Sequence, residues 1–506
     1  RIFNNILTNF PCFFDILIVY FYKEENFHPG KEIYMNTIKS GHVKIEEKKP
    51  VSHKKTSEEL KDKYDEVKDK VVKGSEEKEP FLTNMEKLRS VREGASQGNV
   101  PSAMAFIRSF DKNLGIKEPF LQEKYDLMKT DPHVFYRATP ALFYHDLKND
   151  FAWMSKLLDR TAPEVTIDGD AHLRNFGTIK GPDKSVCWGL NDFDQAEAGS
   201  PEWDLERMAV SAVLTGRMAG IDREDISNTI EHIGKKYFHT IRKIASGDIE
   251  PHPAFLAKDE TEGKIDDLIK KQEEISQKEF LKDYKKLNEN DVPVFIHSEE
   301  IIPLSSEMKQ KIAKALSDYE KTVGNTPRMK RSLQVYDIAE KLRSGGSSYG
   351  LPRYYALVAN ADRDKEPLIL ELKLLFESGI KDETGDLKLG DAKTVAEDQR
   401  AMQQNKGNPV TGYCTIDGCS YLVREYEREK KNTPLEDFTG ADDLKLLAKQ
   451  AAEVLAFAHG RTKKDARKID GWVKDDEDKA IANLKEFAFA YADKVQSDYN
   501  DLKKQF

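Results

Sequence analysis

Apolar residues recur at two different spacings along this chain, and the spacing changes with position. Around Leu205, Met208, Ala209 and Ala212 they return every three or four residues, the period of a helix with one face in a core. Ser200-Pro201-Glu202 just before them supply a capping hydroxyl, Pro for the first turn and an acid at the positive end of the dipole. Leu444, Leu447, Ala448, Ala451, Leu455 and Ala458 form a longer stripe of the same period and predict a long helix. Short amphipathic helices are expected after Pro101, one of them over Ala141–Leu157. Two runs instead read as strands: Val165-Thr166-Ile167 and Val186 to Leu190. With the turn residues Gly181-Pro182-Asp183 between them, they predict a hairpin with carboxylates at its rims. Helices should continue to about residue 343, with the charged stretch 258–290 on the surface. Beyond Arg343 the character changes to strands, at Tyr354 to Val358, Leu368 to Leu375 and Tyr421 to Tyr426.

These patterns divide the 506 residues into four regions. Residues 1–100 read as an extension, largely charged, with Lys and Glu dense from about 41 to 90. Residues 101–330 form a helical region, 331–430 a small sheet-rich region, and 431–506 C-terminal helices. Within the extension, Phe13 to Tyr22 is apolar but too short for a membrane span, and Met35 is the expected start, with residues 1–34 outside the native chain. Hydrophobic residues make up 39% and charged ones 33%, polar for a globular chain yet enough to build a core. A net charge of −9 offers no global basic field, so neither nucleic acid nor a membrane is the expected partner. The four cysteines form neither a zinc-ligand set nor a disulfide framework, which points to a reducing cytoplasm.

The densest chemistry lies at Gly169-Asp170-Ala171-His172-Leu173-Arg174-Asn175, followed by Asn191-Asp192-Phe193-Asp194. Phosphoryl transfer needs a carboxylate to orient or deprotonate the acceptor hydroxyl, and hard oxygen ligands for magnesium. Asp170 fits the first role. Asn175, Asp192 and Asp194 fit the second. His172 orients the loop and Arg174 shares it, so both join the catalytic candidates. Gly345-Gly346-Ser347-Ser348-Tyr349-Gly350 is a glycine-rich turn before a strand, where backbone amides can approach phosphates. Lys373 sits in an apolar strand one element later, where a charge needs a partner. Glu377 and Glu397 are its candidate partners, and a phosphate is the candidate ligand. Asp204 and Arg207 read as structural, and Arg137 can contact a phosphate or pair with an acid, pairing being the expectation.

The loop resembles the catalytic loop of aminoglycoside and choline kinases, which read His-Gly-Asp-x-His-x-x-Asn and then Ile-Asp-Phe/Trp, except that Asp168 replaces the first His. In that family an Asp matching Asp204, here in Gly199-Ser200-Pro201-Glu202-Trp203-Asp204-Leu205, buttresses the loop. Phe135-Tyr136-Arg137, Gly169 to Gly177, Asn191 to Asp194 and Glu202-Trp203-Asp204-Leu205 together resemble the bacterial family called domain of unknown function 2252, grouped with kinase-like folds. The resemblance implies an α+β, protein-kinase-like two-lobe fold with helical additions, binding ATP and magnesium and phosphorylating a small-molecule acceptor. Gln399, Arg400 and Gln403 resemble the Gln-Arg-x-x-Gln of that family and join the expected site. So does Arg424 in the hinge-like Val423-Arg424-Glu425-Tyr426, as a nucleotide-binding residue. The catalytic loop precedes the glycine loop and lysine, the reverse of kinase order, which implies a circular permutation. Three other readings stand beside this one: a nucleotide-binding pseudokinase or scaffold, nucleotidyl transfer on the same fold, and a two-metal phosphoesterase. The phosphoesterase lacks the His settings it needs.

Overall fold

Short amphipathic stretches open the folded part as four helices: α1 Ala103–Asn113, α2 Phe120–Met128, α3 Pro132–Ala138 and α4 Pro140–Lys148. The computed structural model describes residues 102–152, 154–323, 333–360, 365–381 and 390–505, so the expectations for residues 1–100 lie outside the described residues. The side chains of Ser102 and Asp131 accept backbone N–H groups at the starts of α1 and α3, and Pro opens α3 and α4. The helix expected over 141–157 ends early, at Lys148, because Asn149 leaves helical dihedrals.

Four strands follow: β1 Val165–Ile167, β2 Phe176–Lys180, β3 Val186–Leu190 and β4 Glu197–Gly199. The expected hairpin of β1 with β3 is not formed. Instead β1 pairs with β4, Thr166 opposite Ala198, and the turn at Gly181 joins β2 to β3, Thr178 opposite Trp188. β2 escapes sequence reading because Gly177, Thr178 and Lys180 interrupt its apolar run, although all five of its residues are buried.

Next come α5 Pro201–Met218 and α6 Arg223–Ser246. Leu205, Met208, Ala209 and Ala212 are fully buried, as their period requires. Ser200 occupies the N-cap of α5, but its hydroxyl makes no capping bond; Pro201 has already removed one donor from that first turn. The chain continues through β5 Phe255–Leu256, α7 Lys264–Glu273, α8 Gln277–Leu281, β6 Lys285–Leu287, β7 Pro293–Phe295, β8 Ile301–Pro303 and α9 Ser306–Tyr319. Residues 258–290 are mostly at the surface, yet α7 and α8 bury Ile265, Ile269 and Leu281. The remaining elements are β9 Val335–Lys341, β10 Arg353–Val358, β11 Leu368–Leu374, α10 Ala392–Met402, β12 Gly412–Ile416, β13 Cys419–Glu425, β14 Lys431–Asn432, α11 Ala441–His459, α12 Lys463–Val473 and α13 Glu477–Gln505.

The larger sheet is antiparallel, in the order β12-β13-β11-β10-β9-β8. It reaches back to Ile301, inside the region read as helical. A smaller sheet, β14-β2-β3-β5, ties the hairpin to the chain that leaves the larger one, Lys431 lying opposite Thr178. The apolar stripe of α11 is fully buried and packs on α6 and α5, while α12 packs on α6 and α13 on both α5 and α6. Residues 431–506 therefore complete the helical core begun by α5 and α6. Among the described residues, no helix is long and apolar enough to cross a membrane.

Candidate functional site

The loop after β1 turns at Gly169, whose φ is +76° and where a Cβ would lie 2.2 Å from the Gln195 carbonyl oxygen. Only glycine fits both constraints. Asp204, in the first turn of α5, accepts the backbone N–H groups of Asp168 at 2.7 Å and Gly169 at 3.0 Å. His459, at the end of α11, places Nε2 3.0 Å from the same carboxylate and Nδ1 2.7 Å from the Tyr237 hydroxyl. This brace is the one the resemblance implied for Asp204. Asp168, the departure from the kinase pattern, accepts the Asp170 N–H at 3.3 Å. Burial, with Asp204 and Asp170 close by, pushes its carboxyl well above the usual carboxylate range. Ser211 of α5 accepts the Leu173 N–H at 2.9 Å and so holds the far end of the loop.

Asp170 projects from this braced loop. The buried Arg207 donates Nε–H to its Oδ1 at 2.5 Å. Burial pushes the Asp170 carboxyl up to about 6, against the pull of that guanidinium. Asn175 donates its amide to the Asp170 carbonyl oxygen at 2.9 Å, which leaves the amide oxygen as an acceptor or ligand. His172 Nε2 lies 3.7 Å from Asp170 Oδ2, and neither ring nitrogen has a hydrogen-bond partner among the described residues. Burial, then Arg207, draws the His172 imidazole well below its ordinary value, so it is neutral.

The larger sheet supplies the opposite wall. Arg353 lies opposite Lys373 and Glu371 opposite Arg424, so all four side chains share one face. Arg353 and Arg424 grip Glu371 at 2.9 and 2.8 Å, and together they overcome burial and bring its carboxyl down to about 2. Arg424 also reaches Asp192 at 3.4 Å. Lys373 contacts the Asp194 carboxylate and lies 3.8 Å from Asp192. Burial lowers the Lys373 ammonium to about 8 despite Asp192. Burial works against the Asp192 carboxylate too, but Lys373, Arg424, Lys430 and Arg353 hold it below the usual range.

The glycine loop runs between β9 and β10, with positive φ at Gly345 and Gly350. A Cβ on Gly350 would lie 2.7 Å from Phe120, so α2 packs directly on the turn. From α2, Lys124 donates to Asp111 at 2.7 Å and to the Ser347 carbonyl oxygen at 2.9 Å. Glu123 accepts from the Arg343 guanidinium at 3.0 Å and from the Tyr349 hydroxyl at 2.8 Å.

Between the two walls lies a cleft of about 800 Å³, partly open to solvent. Asp170, His172, Asn175, Asp192 and Asp194 line it from one side, and Gly346, Ser347, Ser348 and Lys373 from the other. The remaining candidates lie elsewhere. Arg174 turns to Glu436, 3.3 Å away, and does not line the cleft. Gly345 and Gly350 shape the loop without lining the cleft, and Arg424 reaches it through Glu371 and Asp192. The partners of Lys373 are Asp194 and Asp192, not Glu377 or Glu397. Arg400 donates to the Thr411 carbonyl oxygen and, with Gln403, borders a different hollow; Gln399 is buried outside the cleft. Arg137 lines the cleft but has no acid within ion-pair distance among the described residues, against the expectation that it is paired. Sequence reading missed Glu371 and Arg353. The signal for Glu371 was present: it precedes Lys373 by two positions in an otherwise apolar strand, which places both on one face.

Fold and site together define an α+β protein with a charged cleft between an antiparallel sheet and a helical core. Residues 118–505 match the family described as "Uncharacterized protein conserved in bacteria (DUF2252)", and the chain belongs to that family. No curated protein and no solved structure matches it.

Proposed function

We propose that this protein is an ATP- and magnesium-dependent phosphotransferase, with a circularly permuted, protein-kinase-like two-lobe fold, acting on a small-molecule acceptor. The observation that carries the reading is convergence. A glycine loop and a strand lysine meet two carboxylate-bearing loops from much earlier in the chain, across one cleft. The place of α11 supports permutation. In kinase order such a helix leads into the catalytic loop, and here its last residue, His459, touches the Asp204 that holds that loop.

The donors suit magnesium: two carboxylates and an amide oxygen, with Asp194 Oδ1 buried and without a hydrogen-bond partner among the described residues. Asn175, Asp192 and Asp194 would hold the ion, which would offset the charge of the phosphates. Lys373 and the amides of Gly346 to Ser348 take the phosphates. Asp170, with a carboxyl near 6, is ionised at neutral pH and more basic than an ordinary aspartate. Arg207 occupies its Oδ1, which leaves Oδ2 to receive the acceptor proton as the hydroxyl oxygen attacks the terminal phosphorus and the bond to the ADP oxygen breaks.

Thermal unfolding tests the reading. At roughly a hundred times Kd, ATP with magnesium stabilises the folded state by about 2.7 kcal/mol, so the melting temperature of the wild type should rise. Asp192→Ala should abolish that rise. An unmoved wild type rejects nucleotide binding, and a rise that survives the substitution rejects the metal assignment. ATP labelled at the γ position then reports whether phosphate or AMP reaches the product.

A further inference from the structure

Two cationic side chains line the cleft, and they differ in how they are engaged. Lys373 is occupied by Asp194 and Asp192. Arg137, at the end of α3, is partly buried and makes no hydrogen bond or ion pair among the described residues. The acids that act on it from a distance, Asp192, Asp170 and Asp131, all lie beyond ion-pair reach. A partly desolvated guanidinium with no acid in ion-pair reach is unfavourable, and one that lines a cleft is suited to bind an anion. The glycine loop leaves room beside it. A Cβ on Gly346 would come within 3.2 Å of Arg137 Nε, so this glycine keeps the edge of the guanidinium open toward the cleft. Asp170, Arg137 and Gly346 all border the same space.

We propose that Arg137 binds the terminal phosphate of the polyphosphate ligand, as a specificity residue for the outermost phosphate of the chain. The inference deepens the phosphotransferase reading and rests on it for the identity of the nucleotide, but the anion site itself can be tested apart. The probes are inorganic pyrophosphate, ADP and ATP, each with magnesium, titrated calorimetrically against wild type, Arg137→Met and Arg137→Lys. A charge-assisted hydrogen bond is worth about 1.5–3 kcal/mol, so Arg137→Met should weaken pyrophosphate and ATP by roughly ten- to a hundredfold while leaving ADP nearly unchanged. Arg137→Lys should recover part of the loss. The melting temperature of Arg137→Met without ligand should equal or exceed the wild type, because no native partner is removed. Equal losses for ATP and ADP, no loss at all, or a lowered melting temperature without ligand would each overturn the proposal. Wild type that binds pyrophosphate but neither nucleotide leaves the anion site standing and removes the nucleotide reading. Wild type that binds none of the three removes both.

Discussion

Asp170 is bound by one oxygen and free by the other, and that asymmetry defines what the residue can do. Arg207 holds Oδ1 from inside the core, Oδ2 makes no hydrogen bond among the described residues, and the residue lines the cleft. Replacing Asp170 with Asn keeps the shape and removes the carboxylate that the proposed reaction uses as its base. Turnover of labelled ATP should fall about 10²–10⁴-fold, with the nucleotide-induced rise in melting temperature intact. Glu202 shows burial acting on stability instead. It accepts the Leu157 N–H at 3.1 Å, and burial pushes its carboxyl up to about 7 from 4.5. Between those values the folded state holds the proton more tightly than the unfolded chain, so stability falls as pH rises through the window. Glu202→Gln keeps an oxygen for Leu157 and removes the charge. It should be more stable than wild type at pH 8, by about 3 kcal/mol, with the two converging near pH 4.5. A gap that does not change with pH in thermal unfolding would refute this account.

The glycine loop depends on elements outside its own strands. α2 fixes it through Lys124 on the Ser347 carbonyl oxygen, and through Glu123 on Arg343 and Tyr349. Lys124→Met removes the bond from α2 to the Ser347 carbonyl oxygen at the loop tip. Nucleotide affinity should drop about three- to tenfold with little change in the rate at saturation, as measured by a KM-against-kcat comparison. β1 makes a similar point about strands. Three residues carry too little pattern to choose a partner, and β4, which wins, reads as the approach to a helix cap. In the long elements α5 and α11, by contrast, every position of the apolar period is fully buried.

On the scale of the whole molecule, one buried chain of contacts joins the two ends of the site region. Tyr237 on α6, His459 on α11 and Asp204 on α5 link three core helices to the N–H groups of the loop after β1. His459→Ala breaks a fully buried pair and leaves the Asp204 carboxylate short of a partner. It should destabilise the fold by about 3–5 kcal/mol and reduce turnover as well, because the loop loses its brace. Thermal unfolding and an activity assay on the same preparation check both effects, and a change in one without the other would separate the brace from the site.

Asp170, Asn175 and Asp192 stood out in the sequence because they cluster at short spacings, and Lys373 because a charge interrupts an apolar strand. The core faces of the long helices were legible because burial imposes a period that repeats many times along each helix. Other features arise only in three dimensions: Lys373 against Asp194, Glu371 between two arginines, His459 behind Asp204, Arg174 turned to Glu436, and Arg137 with no acid in ion-pair reach among the described residues. Each is a meeting, or a failure to meet, between side chains far apart in the chain. Local periodicity determines which face of an element is buried, but it carries no information about which distant charge that face will meet.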